Sequence, residues 1–416
     1  MKRNIKLFPI YKLFSYDILF YYSISILYLT GIKHYTLSQV ALASSIQAVA
    51  AVIWKIPASI ITDRIGYKSS MVIGNISRLV WCFIYIVAPS FYIVLIAEFL
   101  YAFGTSLRSA SETPLIYSSL VKENMTSEYS KVEGRGSSYY FIAEAIASIT
   151  AGYLYHINVY LPLILASICS LVATILAILM KKIPTFNASI PTGKERVQDI
   201  LHGFKFIFKS KRLHALFLFA AVFKGIIALG NLYIKSFLND INVSSTLFGY
   251  IFALASIASA IGSIVPDKIK SKYKNKTLSV ISISFLLSFI IIGICSLIFK
   301  SFYILLSIGI VIFLLQTFIR GAYRIIVKEY ATRYTTTSIR SKLMSIYYLI
   351  ECLGSAVLTF IASETIDLIP IGLSYCIFGI LLLIIVCLIL SYMNKRIGLE
   401  PEKYTPSDRM DLQEVE

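Results

Sequence analysis

Apolar runs of about twenty residues, repeated along a whole chain, leave few folds open. The core of a bilayer is about 30 Å thick and offers no water to backbone N–H and C=O groups, so only helices or closed barrels can cross it. Twelve such runs follow one another here, over residues 13–31, 37–58, 69–89, 90–113, 137–157, 159–180, 213–236, 244–265, 277–299, 301–320, 343–363 and 368–393. Each is too long for a membrane strand, so the sequence predicts an all-α integral membrane protein with twelve transmembrane helices. Composition agrees: 57% of the 416 residues are hydrophobic and 15% charged, against about 45–50% and 25% in soluble domains. That balance excludes a water-soluble enzyme or nucleic-acid binder. The six cysteines all lie in apolar runs without metal-ligand spacing, so neither a disulfide framework, a metal nor another cofactor is expected.

The net charge of +17 has no polar domain to occupy and is explained by topology. About thirty of the 39 Lys and Arg lie in the N-terminal segment, the even-numbered loops and the C-terminal tail, whereas the opposite side carries Lys33, Lys300 and the borderline Lys235. Both termini are therefore expected in the cytoplasm, in a multi-pass protein of the cell membrane. The longest polar connection divides the chain into halves over 1–180 and 213–393, joined by a linker over 181–212 and followed by a tail over 394–416. Within the linker, Ile200, Leu201, Phe204, Ile207 and Phe208 recur at helical spacing beside Lys205 and Lys209, the pattern of an amphipathic helix on the membrane surface.

The halves repeat one another. SIITDRI at 59–65 returns as SIVPDKI at 263–269, TSLRSA at 105–110 as TFIRGA at 317–322, and YYFIAE at 139–144 as YYLIE at 347–351. Three collinear matches at equivalent places in the topology indicate a duplicated six-helix unit. Spans 6, 9 and 12 carry no charge and are expected to face lipid; spans 1, 2, 4, 5, 7, 10 and 11 each carry an ionisable residue and are expected to surround something polar.

The turn between spans 2 and 3 brings Asp63, Arg64 and Lys68 together around Gly66 at the membrane surface. This turn resembles the signature loop of the major facilitator superfamily, a glycine, an Asp-Arg pair, a second glycine and basic residues. Ser59 stands at the first glycine position and Tyr67 where a basic residue is usual; Asp267 marks a degenerate second copy. With twelve spans and a 6+6 repeat, the resemblance covers nearly the whole chain. It implies a two-halved fold and alternating-access transport of a small solute, with spans 1, 4, 7 and 10 lining a cavity. It also implies a latch on the inner gate formed by Asp63 with Arg64 and Arg108.

The other intramembrane charges suggest roles of their own. Arg108 and Glu112 are four apart, the spacing of a pair on one helix face, and are expected to pair at the inner gate. Glu98 is expected to meet Arg78 of the neighbouring span. Glu144 and Glu351 occupy equivalent positions in the repeats and, with Asp17, Glu98 and Lys224, are the candidates for proton coupling or for lining the cavity. Tyrosines such as Tyr21, Tyr22, Tyr101, Tyr139, Tyr347 and Tyr348 offer faces to amphipathic ligands. The expectation is a secondary transporter, not an enzyme, that exports an amphipathic or drug-like compound using protons. The alternatives are proton-coupled uptake of a sugar or organic acid, and a membrane sensor that transports nothing. Its partners are the small-molecule substrate, protons and lipid, with no nucleic acid, and it is expected to be a monomer.

Overall fold

The computed structural model describes residues 1–125, 128–183, 207, 211–333 and 337–397. Helices dominate these residues, and no strand occurs among them. In chain order they are α1 (Lys2–Ser15), α2 (Tyr21–Leu27, continued by a π turn, Tyr28–Ile32), α3 (Leu37–Ile65), α4 (Tyr67–Val87), α5 (Phe91–Lys122), α6 (Tyr129–Ile157), α7 (Leu161–Leu179), α8 (Lys211–Asp240), α9 (Ser245–Ile264), α10 (Pro266–Tyr273), α11 (Thr277–Ile298), α12 (Phe302–Arg333), α13 (Thr337–Thr365) and α14 (Ile371–Ile397). Ten of them are long and apolar enough to cross a membrane. The two expected spans outside that set are the first, which is split between α1 and α2, and the fifth, within the more polar α6. But for Ile207, the amphipathic segment expected over 195–210 lies outside the described residues, as does the tail beyond 397.

Two compact units divide the chain, one comprising Met1–Gly193 with Ser244–Ser256, the other Lys194–Val243 with Ile257–Glu416. The stretch Ser244–Ser256 packs with the first unit through backbone contacts. A Cβ on Gly152 would stand 2.9 Å from Thr246 Cα, and a Cβ on Gly249 would stand 3.0 Å from the Ile149 carbonyl oxygen.

In the first unit one end collects the basic connections. Asn4 donates to Ser119 Oγ and to the Lys181 carbonyl (3.0 Å each) and accepts from the Lys181 N–H (2.7 Å), while Glu123 accepts from the Lys2 N–H at 3.1 Å. The Lys182 side chain lies beside Gly66. The start of α1, the ends of α5 and α7 and the α3–α4 turn therefore share one end. At the other end Lys33 donates to the carbonyls of Ile86 and Ala88 (3.0 Å each), a cation on the C-terminus of α4. Partial burial there lowers its pKa.

Three helices that carry no charge along their apolar stretch turn a stripe of bare side chains outward. On α7 it runs through Ile164, Ile168, Leu171, Ile175 and Ile178, on α11 through Leu287, Ile291, Ile294 and Ile298, and on α14 through Ile377, Ile380, Ile384 and Leu388. Exposed apolar area of this extent fits a hydrocarbon solvent rather than water.

Candidate functional site

The first expected span, 13–31, is two helices rather than one. After Ser15 the chain leaves the helix, passes through Tyr16–Phe20 with Phe20 at φ +67°, and re-enters helix at Tyr21. Breaking a helix inside a packed bundle strands carbonyl groups, which must find donors elsewhere. Arg78 of α4 supplies them: one terminal nitrogen donates to the carbonyls of Ser15 (2.9 Å) and Asp17 (3.2 Å), the other to that of Phe14 (2.8 Å). Arg108 of α5 donates to the same Ser15 carbonyl. Both guanidinium groups are buried, Arg78 at 1% exposure, and their charge faces the negative end of α1. Asp17 sits in the break with its Oδ1 accepting from the Ile18 N–H at 2.8 Å. The Tyr16 ring stacks on Tyr140 of α6, centroids 4.4 Å apart.

This arrangement corrects two pairings. Arg108 does not hold Glu112; Glu112 accepts from the Tyr11 hydroxyl at 2.9 Å and forms an ion pair with Lys12 at 3.1 Å, and Lys12 also reaches Glu133 of α6 at 3.2 Å. The i, i+4 rule describes an isolated helix, whereas here α1 lies against α5 and offers closer partners to both residues. Nor does Glu98 hold Arg78. Glu98 is buried and accepts from the Tyr85 hydroxyl and from Trp81 Nε1 (3.3 Å), in a cluster completed by the edge-on ring of Tyr21. Arg78, Trp81 and Tyr85 follow at i, i+3 and i+7 on α4, a face that the sequence shows and that serves two separate purposes. Lys12, one of the basic residues of the N-terminal segment, is buried at this junction.

The repeat-related glutamates have matching surroundings. On α6 Tyr140 and Glu144 interact electrostatically, and on α13 the Tyr347 hydroxyl donates to Glu351 at 2.7 Å. In each unit the tyrosine stands four residues before the glutamate, one turn away on the same face. Tyr140 was not singled out in the sequence, although the YYFIAE and YYLIE repeat contains the signal. In the second unit Lys224 of α8 and Arg324 of α12 act electrostatically on Glu351. Lys224 is brought there by close helix contact: a Cβ on Gly225 would stand 2.5 Å from the Gly354 carbonyl oxygen, so α8 and α13 can meet only because both residues lack a side chain. Nearby, Arg320, the repeat partner of Arg108, donates to Asn231 Oδ1 at 3.3 Å. Both line a small cleft of about 10 Å³, room for about one water, with Gln316 and Thr317, walled by Ile227, Phe285 and Phe313.

The α3–α4 turn consists of one residue. Gly66 has φ +86° and ψ 158°, and its N–H donates to the Thr62 carbonyl at 2.8 Å. Asp63 is half-buried, Arg64 exposed and Lys68 half-buried. A side chain at Gly66 would meet nothing closer than Lys182 Cε at 3.8 Å, so the constraint is backbone conformation, in a region open essentially to glycine alone. Gly66→Val is expected to cost about 1–3 kcal/mol at this turn and to depress transport; equal transport by the wild type and the valine variant would show that the turn tolerates another geometry.

Units built of long apolar helices, with apolar stripes on their surfaces and buried ionisable residues, define a polytopic membrane protein. The Major Facilitator Superfamily model matches residues 10–357, and the chain belongs to that family. It is 29% identical over 243 residues to the MFS-type transporter YxaM of Bacillus subtilis (strain 168), itself uncharacterized, an alignment spanning 57% of this chain and 59% of that protein. Among solved structures, the nucleoside transporter NupG superposes with a TM-score of 0.75 at 13% identity, covering 97% of this chain and 100% of that one. A D-xylose-proton symporter gives 0.73 at 11%, covering 96% and 98%. At such identities these structures share the fold.

Proposed function

We propose that the protein is a proton-coupled secondary transporter that exports small amphipathic compounds from the cell by alternating access. The observation that carries this reading is the repeated Tyr–Glu pair, Tyr140 with Glu144 and Tyr347 with Glu351. A carboxyl whose surroundings alternate between wet and dry takes up and releases a proton, and the tyrosine hydroxyl keeps it in one orientation through the cycle. Stacked aromatic groups beside the helix break, Tyr16 on Tyr140 with Phe141 alongside, favour a ligand with flat apolar faces. Asp63, Arg64 and Lys68, around the Gly66 turn, act as the cytoplasmic gate; Asp17, Glu98 and Lys224 tune the charge of the pathway. Arg108 and Glu112 act at the inner gate through α1 rather than through each other.

A second reading, proton-driven uptake of a polar solute, is favoured by the cleft with Asn231, Gln316 and Arg320 and by Lys224 near Glu351. Cells expressing the protein are expected to resist amphipathic toxic compounds and to gain no uptake of labelled sugars or organic acids; the reverse pattern would establish the second reading. The distribution of Lys and Arg supports a cell-membrane protein with both termini in the cytoplasm. Reporter fusions at Pro191 and Lys403 should both read cytoplasm, and extracellular labelling of either would overturn that topology.

A further inference from the structure

The outer side of α1 has no part in the network that pins its inner side. Asn4, Phe8, Tyr11, Lys12 and Ser15 are buried, whereas Lys6 and Ile10 point away and are exposed. Together with α6 they border an open groove of about 250 Å³, lined on α1 by Ile5, Lys6, Pro9 and Ile10 and on α6 by Val132, Arg135 and Tyr139. Its lining combines apolar Ile5, Pro9, Ile10 and Val132 with polar surface, and its two charges, Lys6 and Arg135, have the same sign. The carboxylates closest to Arg135 on α6 are already committed, Glu133 to Lys12 at 3.2 Å and Glu128 to Lys131 at 3.1 Å. Two like charges therefore flank this trough at the end of the unit where the basic connections gather, the depth at which helices meet lipid headgroups.

We propose that this groove binds an anionic glycerophospholipid. Arg135 and Lys6 take the phosphate, Arg135 through its fork of donors and Lys6 as a point charge. One acyl chain lies along Pro9, Ile10 and Val132. The half-exposed Tyr139 ring stands at the interface, where its hydroxyl meets the glycerol region. A zwitterionic lipid carries its own cation and gains less from the pair. A free phosphate ion lacks the chain that the trough would cover.

The test is native mass spectrometry and thermal melting of the purified full-length protein in neutral detergent, titrated with phosphatidylglycerol, phosphatidylcholine or inorganic phosphate. It is independent of transport direction and of insertion topology. The wild type is expected to retain one phosphatidylglycerol and to melt at higher temperature with it, and to respond to neither of the other two. Lys6→Gln with Arg135→Gln should lower phosphatidylglycerol affinity by at least about tenfold, whereas Lys6→Arg with Arg135→Lys should preserve it. Equal response to phosphatidylcholine, or a response to phosphate alone, would overturn the proposal using the wild type only. Unchanged affinity in the glutamine variant would overturn it as well.

Discussion

Arg78→Met is expected to lower the melting temperature of the protein more than any other single change considered. The guanidinium is the donor for the carbonyls of Phe14, Ser15 and Asp17 where α1 ends. Methionine fills similar space but donates nothing, and only Ser15 keeps a partner, Arg108. Two part-buried carbonyls without donors cost up to about 1–3 kcal/mol each, a large share of the 5–15 kcal/mol that holds a typical domain together. Lysine at the same position returns the charge but not the fork, so Arg78→Lys should recover part of the loss. Melting followed by tryptophan fluorescence suits this test, because Trp81 lies one turn along α4. Arg135→Met, an exposed position, serves as the control and should melt as the wild type does in the absence of added lipid. If Arg78→Met melts like the control, the break in the first span is not held by arginine.

The break itself shows where sequence reasoning stops. The interval 13–31 carries a single charge, Asp17, and the proline of this region, Pro9, lies inside α1 rather than at the break. What ends α1 at Ser15 is supplied by arginines 63 and 93 residues away, and no local pattern contains that information. By contrast, α7 and α11 fall within two residues of the spans expected at 159–180 and 277–299, because the apolar length that crosses a bilayer is a local property. Helices α3, α5 and α12 run past the expected ends at 58, 113 and 320 to Ile65, Lys122 and Arg333. Those extensions are helix beyond the expected spans, which hydropathy alone does not mark.

The candidate site divides along the same line. Glu144 and Glu351 were legible because duplication repeats their sequence context, and Tyr140 lies within that repeat. The pairings of Arg108 with Glu112 and of Arg78 with Glu98 were drawn from spacing and depth. The first was displaced by partners on another helix, Ser15 and Lys12, and the second by Tyr85 and Trp81, neighbours of Arg78 on its own helix. Charge spacing along one helix constrains which residues can meet; packing decides which do.

The second large effect concerns coupling. Glutamine keeps the shape of a protonated glutamate and cannot release the proton. Glu351→Gln retains an acceptor for the Tyr347 hydroxyl, so the helix should stay folded and substrate binding should survive, while accumulation driven by a pH gradient falls to the level of empty membranes. Glu144→Gln is expected to do the same if both repeats carry protons, or to leave the gradient dependence intact if the second unit alone does. Exchange of substrate for substrate, which needs no net proton movement, should continue in Glu351→Gln. Loss of exchange together with driven transport would indicate damage to binding rather than to coupling.

The most direct measurement is accumulation of a fluorescent amphipathic cation by liposomes containing the purified protein, loaded acidic inside and diluted into neutral buffer. Proton efflux down the gradient should drive the dye inward in wild-type liposomes, stop when the gradient is collapsed, and fail with Glu351→Gln although the dye still binds. Accumulation that persists after the gradient is collapsed, or that proceeds unchanged in the glutamine variants of both Glu144 and Glu351, would contradict proton-coupled export through these two carboxylates.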